Sequence, residues 1–246
     1  MGKIFGVIAL KGGVGKTTVV SNLGASLARD YGKKVLMIDA NFSTPHLGLH
    51  LGILAPKYTL HHVLNNEHSI FEAIYQHELG FHIIPGKLAP FETGYLGLRD
   101  KLEELRDIYD VILIDSSPSL NEEMYATMAA SDELLVVSSP DYPTLSSTIH
   151  AISVAGQKDA NIRGIVINKA YRKKFELKKK DIEEASGAKI LSVVPENVKV
   201  LSALSRMKPV VVNFPRQNVS VEYKKLAGNL IGEKLPGIFG RKRKKK

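Results

Sequence analysis

The sequence predicts an α/β fold, a doubly wound and mostly parallel sheet with helices on both faces. Runs rich in Val and Ile, nearly free of polar residues, recur along the 246 residues, as in strands buried on both faces. Between them lie stretches whose apolar residues repeat at helical spacing. This alternation is typical of a doubly wound sheet, in which chemistry takes place at the carboxyl ends of the strands.

Seven buried strands are predicted, with helices between them. The strands span Ile4–Leu10, Lys34–Asp39, Phe81–Pro85, Val111–Asp115, Leu134–Ser138, Ile162–Asn168 and Lys189–Val194. Two apolar helix faces are predicted, one from Val20, Leu23 and Leu27 and the other from Leu98, Leu102 and Leu105. The last helix is predicted from about Ser220 to Lys234, where Leu235-Pro236-Gly237 stops it.

Length and composition favour one large domain, because 44% of the residues are hydrophobic. No apolar run is long enough to span a bilayer, and Met1-Gly2-Lys3 leads directly into a strand, so we expect no secretory signal. The absence of cysteine excludes disulfides, thiolate metal sites and iron–sulfur ligation. These features predict a cytoplasmic protein.

A glycine-rich loop follows the first strand, with the sequence Leu10-Lys11-Gly12-Gly13-Val14-Gly15-Lys16-Thr17-Thr18. Glycine lets backbone N–H groups approach phosphate oxygens closely, and the following helix points its positive end at the anion. In such a loop Lys16 reaches the β- and γ-phosphates and Thr17 ligates Mg²⁺. We therefore predict that Gly12 to Thr18 bind a nucleoside triphosphate with Mg²⁺. A plain glycine turn with two solvated lysines would not explain its place between strand and helix.

Two positions distinguish this loop from the general phosphate-binding motif. Leu10 stands where the general motif has glycine, and Lys11 is an additional lysine before the glycine pair. The run resembles the deviant Walker A loop of the MinD/ParA ATPases, and MinD more than ParA, with a resemblance that extends from residue 3 to about residue 234. It implies a P-loop NTPase of the SIMIBI type that binds ATP as a homodimer. In that family the extra lysine, here Lys11, crosses the interface to the partner's nucleotide.

The second strand ends in Asp39-Ala40-Asn41, where the family has Asp-x-Asp. The second Asp of that pattern orients or activates the attacking water. The amide of Asn41 can bond water but cannot accept its proton, so we expect hydrolysis to slow by about two orders of magnitude or more. Asp39 is expected to hold Mg²⁺ through water or to position the switch. The alternative is that Asn41 is only a turn residue.

Asp115 ends another apolar strand and resembles the Walker B and switch II aspartate, which senses Mg²⁺ and the γ-phosphate. The family usually reads Asp-x-Pro-x-Gly, whereas this chain has an extra serine and Ser119 in the glycine position. An alternative is that Asp115 caps the following helix. Glu122 could match a glutamate that contacts the nucleotide across the dimer.

Two later strand ends resemble the base-binding segments of the family. Asn168 fits its adenine-contacting asparagine, and Tyr171 stands where a guanine-reading pattern would have Asp, which favours ATP over GTP. Pro195 and Asn197 resemble the segment that packs around the base. Four histidines, His46, His50, His61 and His62, lie close together in the sequence, but no recurring acidic ligand accompanies them, so we interpret them as ordinary loop and surface residues.

A basic tail, residues 235–246, is predicted to follow the ATPase domain of residues 1–234. Its last six residues carry six of the nine net positive charges. Together with Leu235, Ile238 and Phe239 it resembles a shortened form of the C-terminal membrane helix of MinD. We expect reversible binding to the inner face of the cell membrane. DNA phosphates would suit the same charges, and a solvated tail is the remaining alternative.

The resemblance thus implies an ATP- and Mg²⁺-dependent switch that organises division or other positioning machinery together with an unidentified regulatory protein. One alternative is an ATP-dependent adaptor that does not hydrolyse ATP, because of Asn41. A second is a ParA-like DNA-segregation ATPase. Biotin- or cobalamin-pathway synthetases of similar fold remain open, although no substrate pocket for them is evident in the sequence.

Overall fold

A computed structural model describes residues 1–88, 94–95 and 97–235. Its sheet contains eight strands in the order β3-β4-β2-β5-β1-β6-β7-β8. The strands are β1 Lys3–Ile8, β2 Val35–Ala40, β3 Tyr75–Gln76, β4 His82–Ile84, β5 Val111–Ser116, β6 Glu133–Ser138, β7 Ile162–Ala170 and β8 Ile190–Pro195. Every pairing is parallel except that of β3 with β4. The predicted doubly wound, mostly parallel sheet is confirmed.

All seven predicted strands are present with shifted ends, and the two-residue β3 was missed. β1 ends at Ile8 rather than Leu10, because the chain turns there into the glycine loop. β7 runs two residues beyond Asn168, since Ala170 still pairs with Pro195 of β8. β3 is an antiparallel edge strand too short to leave a periodic signal.

Helices connect the strands. They are α1 Lys16–Tyr31, α2 Leu47–His50, α3 Leu60–Leu64, α4 Leu98–Glu103, α5 Glu122–Ala130, α6 Tyr142–Gln157, α7 Lys179–Ser186, α8 Val198–Leu204, α9 Val210–Asn213 and α10 Asn218–Ile231, with a 3₁₀ turn at Ile70–Ala73. Both predicted apolar faces are completely buried. The predicted bounds of the last helix were wrong, because Gly232 adopts a left-handed conformation (φ 71°) and caps it after Ile231. The predicted tail lies outside the described residues apart from Leu235, so the domain boundary remains a prediction.

The core occupies both faces of the sheet, as alternate strand residues show. Phe5 and Val7 of β1 pack in a cluster with α1 and α10, whereas Ile4 and Ile8 point to the opposite face. Because the strands are parallel, the loops after β1, β2, β5, β7 and β8 share one edge. Within the described part of the chain, no helix combines the length and apolar character needed to cross a membrane.

Candidate functional site

The phosphate loop, residues 10–18, connects β1 to α1 and leaves its backbone accessible. Gly13 and Gly15 have φ angles of 77° and 97°, a left-handed conformation that favours glycine. A Cβ on Gly12 or Gly13 would meet no atom within 4 Å. The first turn of α1 contains no acidic residue, so its positive end is not neutralised. The loop therefore has the backbone form required to hold phosphate.

A cavity of about 510 Å³ opens at this loop and brings most predicted residues together. The predicted residues that line it are Gly12, Gly13, Gly15, Lys16, Thr17, Thr18, Asn41, Asn168, Pro195 and Asn197. Val14, Asp39 and Asp115 are buried and do not line it. Sequence reasoning missed several lining residues, namely Thr44, Glu196, Leu201, Leu204 and Tyr223. The apolar residues directly after Asn197 could have indicated Leu201 and Leu204.

Asp39 and Asp115 are opposite each other on the paired strands β2 and β5, and their side chains are 0% and 1% exposed. Asp39 accepts hydrogen bonds from the backbone N–H groups of Leu47 (2.8 Å) and Asn41 (3.3 Å). Burial and the nearby charge of Asp115 raise the pKa of Asp39 well above its usual range. The two strands thus carry a pair of carboxyl groups into a buried place beside the phosphate loop.

Asp115 is the less satisfied of the two carboxyl groups. Burial raises its pKa to about 6, against the opposing effects of the Thr17 hydroxyl and the Lys16 ammonium. Neither carboxylate oxygen makes a hydrogen bond of good geometry to any described residue. A buried carboxylate without a partner is costly, and oxygen ligands of this kind suit Mg²⁺. Asp115 and Thr17 therefore fit a magnesium site. The alternative that Asp115 caps the next helix is wrong, because Asn121 caps α5 by accepting from Met124 N–H.

Lys16 and Lys11 are placed differently. Lys16 is buried beside the cavity, and burial lowers its pKa while Asp115 opposes the shift. Lys11 does not line the cavity; its Nζ lies 2.7 Å from Thr144 Oγ1 and 3.4 Å from Asp141 Oδ1 at the start of α6 of the same chain. Within one chain, Asp141 and Thr144 therefore hold the ammonium group of Lys11, although they lie more than a hundred positions away in the sequence.

Asn41 lines the cavity and also closes a turn. Its Nδ2 donates to the Thr44 carbonyl oxygen (2.6 Å), and Thr44 Oγ1 lies 3.3 Å from Asn41 Oδ1. Asn41 thus lines the cavity and also forms a turn, and its role in hydrolysis stays a prediction. The segment of residues 39–50, here called the β2 segment, is held by such side-chain bonds.

Asn168 and Asn197, two of the residues predicted to bind the base, are held by hydrogen bonds to other parts of the fold. Asn168 Nδ2 donates to the Val14 carbonyl oxygen of the phosphate loop (2.8 Å), and its Oδ1 accepts from the Tyr223 hydroxyl (3.3 Å). Asn197 caps α8 by accepting from Lys199 N–H (2.9 Å). Glu122 is exposed at the start of α5 and does not line the cavity.

The four histidines do not form one group. His46 and His50 line the cavity. His61 is fully buried, with Nε2 at 3.2 Å from the Phe42 carbonyl oxygen and Nδ1 accepting from Lys87 N–H. His62 Nδ1 accepts from the Thr59 N–H at the start of α3. The ring nitrogens of His61 and His62 thus serve local packing of this part of the fold.

Comparison with known sequences identifies the family. An AAA domain family model matches residues 2–154. An uncharacterised ATP-binding protein of Methanocaldococcus jannaschii is 33% identical over 237 residues, which cover 93% of this chain and 89% of that protein. The septum site-determining protein MinD of Thermotoga maritima is 29% identical and covers 96% of this chain and 90% of its own length. The chromosome partitioning protein ParA of Caulobacter vibrioides is 33% identical, with 93% and 94% covered.

Solved structures agree with the sequence comparison. The cell division ATPase MinD of Pyrococcus furiosus superposes with a TM-score of 0.90 at 29% identity, covering 94% of this chain and 99% of that one. MinD of Pyrococcus horikoshii complexed with Mg-ADP gives 0.89 at 27% identity, covering 94% and 96%. MinD in a MinC:MinD complex of Aquifex aeolicus gives 0.84 at 25% identity, covering 95% and 97%. The chain belongs to the MinD/ParA family of P-loop ATPases.

Proposed function

We propose that this protein is a MinD-like switch that dimerises with ATP and Mg²⁺ and organises division or other positioning machinery at the membrane, with slow ATP hydrolysis. The observation that carries the proposal is the buried carboxylate of Asp115, whose oxygens make no hydrogen bond of good geometry to the described residues, beside the accessible glycine loop that precedes α1. This combination suits a triphosphate with its cation better than any other ligand class.

The residues of this chain divide the work of binding. The backbone N–H groups of the phosphate loop and the Lys16 ammonium bind phosphate oxygens. Thr17, Asp39 and Asp115 would hold Mg²⁺, which when bound neutralises phosphate charge. Asn168, Pro195 and Asn197 form the base side of the cavity. These roles follow the resemblance residue by residue, and the placement of the residues supports them.

Exposed apolar residues of α8 and α6 support a dimer. Val198 and Leu201 of α8 are 71% and 62% exposed, and Tyr142 at the start of α6 is 77% exposed. Leu201 lines the cavity, so a second copy facing the nucleotide would cover it. In that dimer Lys11 leaves Asp141 and Thr144 for the phosphates of the partner subunit. The relative in the MinC:MinD complex supports a regulatory protein as a further partner.

Static light scattering with a non-hydrolysable ATP analogue and Mg²⁺ tests this step. We expect the wild type to double its mass and Lys11→Ala to remain monomeric while still binding the analogue. Lys34→Ala, at an exposed lysine far from the phosphate loop, is the matched control and should dimerise. A wild type that stays monomeric at saturating analogue would contradict the proposed switch.

Two alternatives have specific support. The engaged amide of Asn41 favours an adaptor that binds ATP without hydrolysing it. The 33% identity to a chromosome partitioning protein favours DNA as the target of the basic residues. Sedimentation with anionic liposomes and gel shift on duplex DNA, each with and without residues 235–246, separates membrane from DNA. If truncation changes neither, the tail has no targeting role.

A further inference from the structure

A buried chain of hydrogen bonds joins α10 to the phosphate loop. Tyr223, in the second turn of α10, is 1% exposed, and its hydroxyl lies 3.3 Å from Asn168 Oδ1. Asn168, 4% exposed near the end of β7, donates from Nδ2 to the Val14 carbonyl oxygen at 2.8 Å. Three distant parts of the sequence thus meet in two consecutive bonds.

The chemistry of these groups fixes the orientation of the Asn168 amide. The Val14 carbonyl can only accept, so Asn168 must turn its NH₂ group toward it. Burial raises the pKa of Tyr223, so its hydroxyl keeps the proton that it donates to the remaining amide oxygen. With the hydroxyl removed, the buried amide oxygen would lose its partner and the preference for this orientation would weaken.

Val14 lies between the two glycines of left-handed conformation, where the loop backbone needs support. Gly13 and Gly15 have φ angles of 77° and 97°. A Cβ at Gly15 would lie 2.3 Å from Asn168 Nδ2, so the Asn168 side chain packs directly against the loop. The hydrogen bond from Asn168 to the Val14 carbonyl oxygen therefore ties β7 to residues 13–15 of the loop.

We propose that Tyr223 is a positioning residue for the nucleotide site. It orients Asn168, and Asn168 in turn supports the phosphate loop in the conformation in which Gly13 and Gly15 have positive φ angles. This rests on the proposed function, because it assigns the loop to nucleotide binding. Tyr223 acts through Asn168 on residues 13–15 and not through contact with the reacting atoms. The role differs from that implied by the family resemblance, in which Asn168 contacts adenine.

The chain offers a matched control for the loss of one tyrosine hydroxyl. Tyr31, at the end of α1, donates from its hydroxyl to the Lys224 carbonyl oxygen of α10 at 2.7 Å. Tyr31→Phe therefore also removes a tyrosine hydroxyl bond that involves α10, but without touching Asn168. Tyr223→Phe keeps the ring in the core and removes only the hydroxyl, so both variants should fold.

Two measurements test the proposal on the full chain. Calorimetry with ATP and Mg²⁺ should give an affinity weaker by about two- to tenfold for Tyr223→Phe, the range expected for one hydrogen bond, and unchanged for Tyr31→Phe. Hydrogen exchange of the ligand-free protein should show faster exchange of the amides of residues 12–16 in Tyr223→Phe alone. In an Asn168→Ala background, Tyr223→Phe should add no further loss of affinity, because its effect passes through Asn168.

The proposal is overturned if residues 12–16 of Tyr223→Phe exchange as in the wild type, or if Tyr31→Phe speeds their exchange equally. It is also overturned if the losses from Tyr223→Phe and Asn168→Ala add fully. The exchange measurement needs no nucleotide. A wild type that binds no ATP would therefore contradict the proposed function, while loop exchange would still decide the role of Tyr223.

Discussion

The phosphate loop and the β2 segment border the same cavity but are built differently. The loop takes its form from glycines of left-handed conformation, a helix N-terminus and the Asn168 bond to Val14. The β2 segment takes its form from side-chain bonds, above all the Asn41–Thr44 pair and Asp39 with Leu47 N–H. The loop carries the residues proposed to bind phosphate, whereas the β2 segment carries Asn41 where the resemblance leads us to expect a carboxylate. We therefore expect binding and hydrolysis to be separable in this chain.

The largest effect on ATP binding is expected from Gly15→Ala, which disrupts the phosphate loop. A side chain at position 15 would be strained by the backbone φ of 97°, and its Cβ would lie 2.3 Å from Asn168 Nδ2. The Asn168 side chain cannot easily give way, because two hydrogen bonds hold it in place. We expect ATP binding to fall below detection by calorimetry. Gly32→Ala is the matched control, since Gly32 also has a positive φ (66°) but open space around it. It should cost about 1 kcal/mol of unfolding free energy and leave ATP affinity unchanged.

Lys16→Ala should weaken ATP binding by about a hundredfold, the loss expected when charged hydrogen bonds to phosphate disappear. The fold should survive, because burial already disfavours the charged form of Lys16. Lys33→Ala, which removes an ion pair with Glu233 beyond the other end of α1, serves as control and should bind ATP normally. Equal affinity of Lys16→Ala and the wild type would show that the nucleotide lies elsewhere.

In these two regions the sequence predicted the features that depend on neighbouring residues, and it missed those that depend on residues far apart in the chain. The phosphate loop was recognised because its backbone demands glycine within a few residues, a local requirement. The bond of Lys11 to Thr144 and that of Tyr223 to Asn168 join residues far apart in sequence, and no local pattern announces them. The end of α10 was misplaced because a proline-glycine pair outweighed Gly232, although Gly232 is the residue that adopts the left-handed cap.

A smaller effect is expected on the β2 segment side, at His50. Burial and the nearby His46 lower the pKa of His50 to about 4. In the folded protein the His50 imidazole thus stays neutral down to about pH 4, whereas in the unfolded chain it takes up a proton below about pH 6.5. Stability should therefore fall as the pH is lowered from about 6.5 toward 4, by about 2 kcal/mol at pH 5 for this group. Urea unfolding should show a smaller loss between pH 7 and pH 5 for His50→Gln than for the wild type. Identical losses would contradict the assignment.

The most direct test of the separation between binding and hydrolysis is single-turnover ATP hydrolysis by the wild type and by Asn41→Asp, at saturating ATP and Mg²⁺ confirmed by calorimetry. Asn41→Ala, which adds no carboxylate, is the matched control. We predict saturable binding and slow hydrolysis by the wild type, a rate about a hundredfold higher in Asn41→Asp, and no increase in Asn41→Ala. An Asn41→Asp variant that binds ATP but hydrolyses it at the wild-type rate would contradict the account.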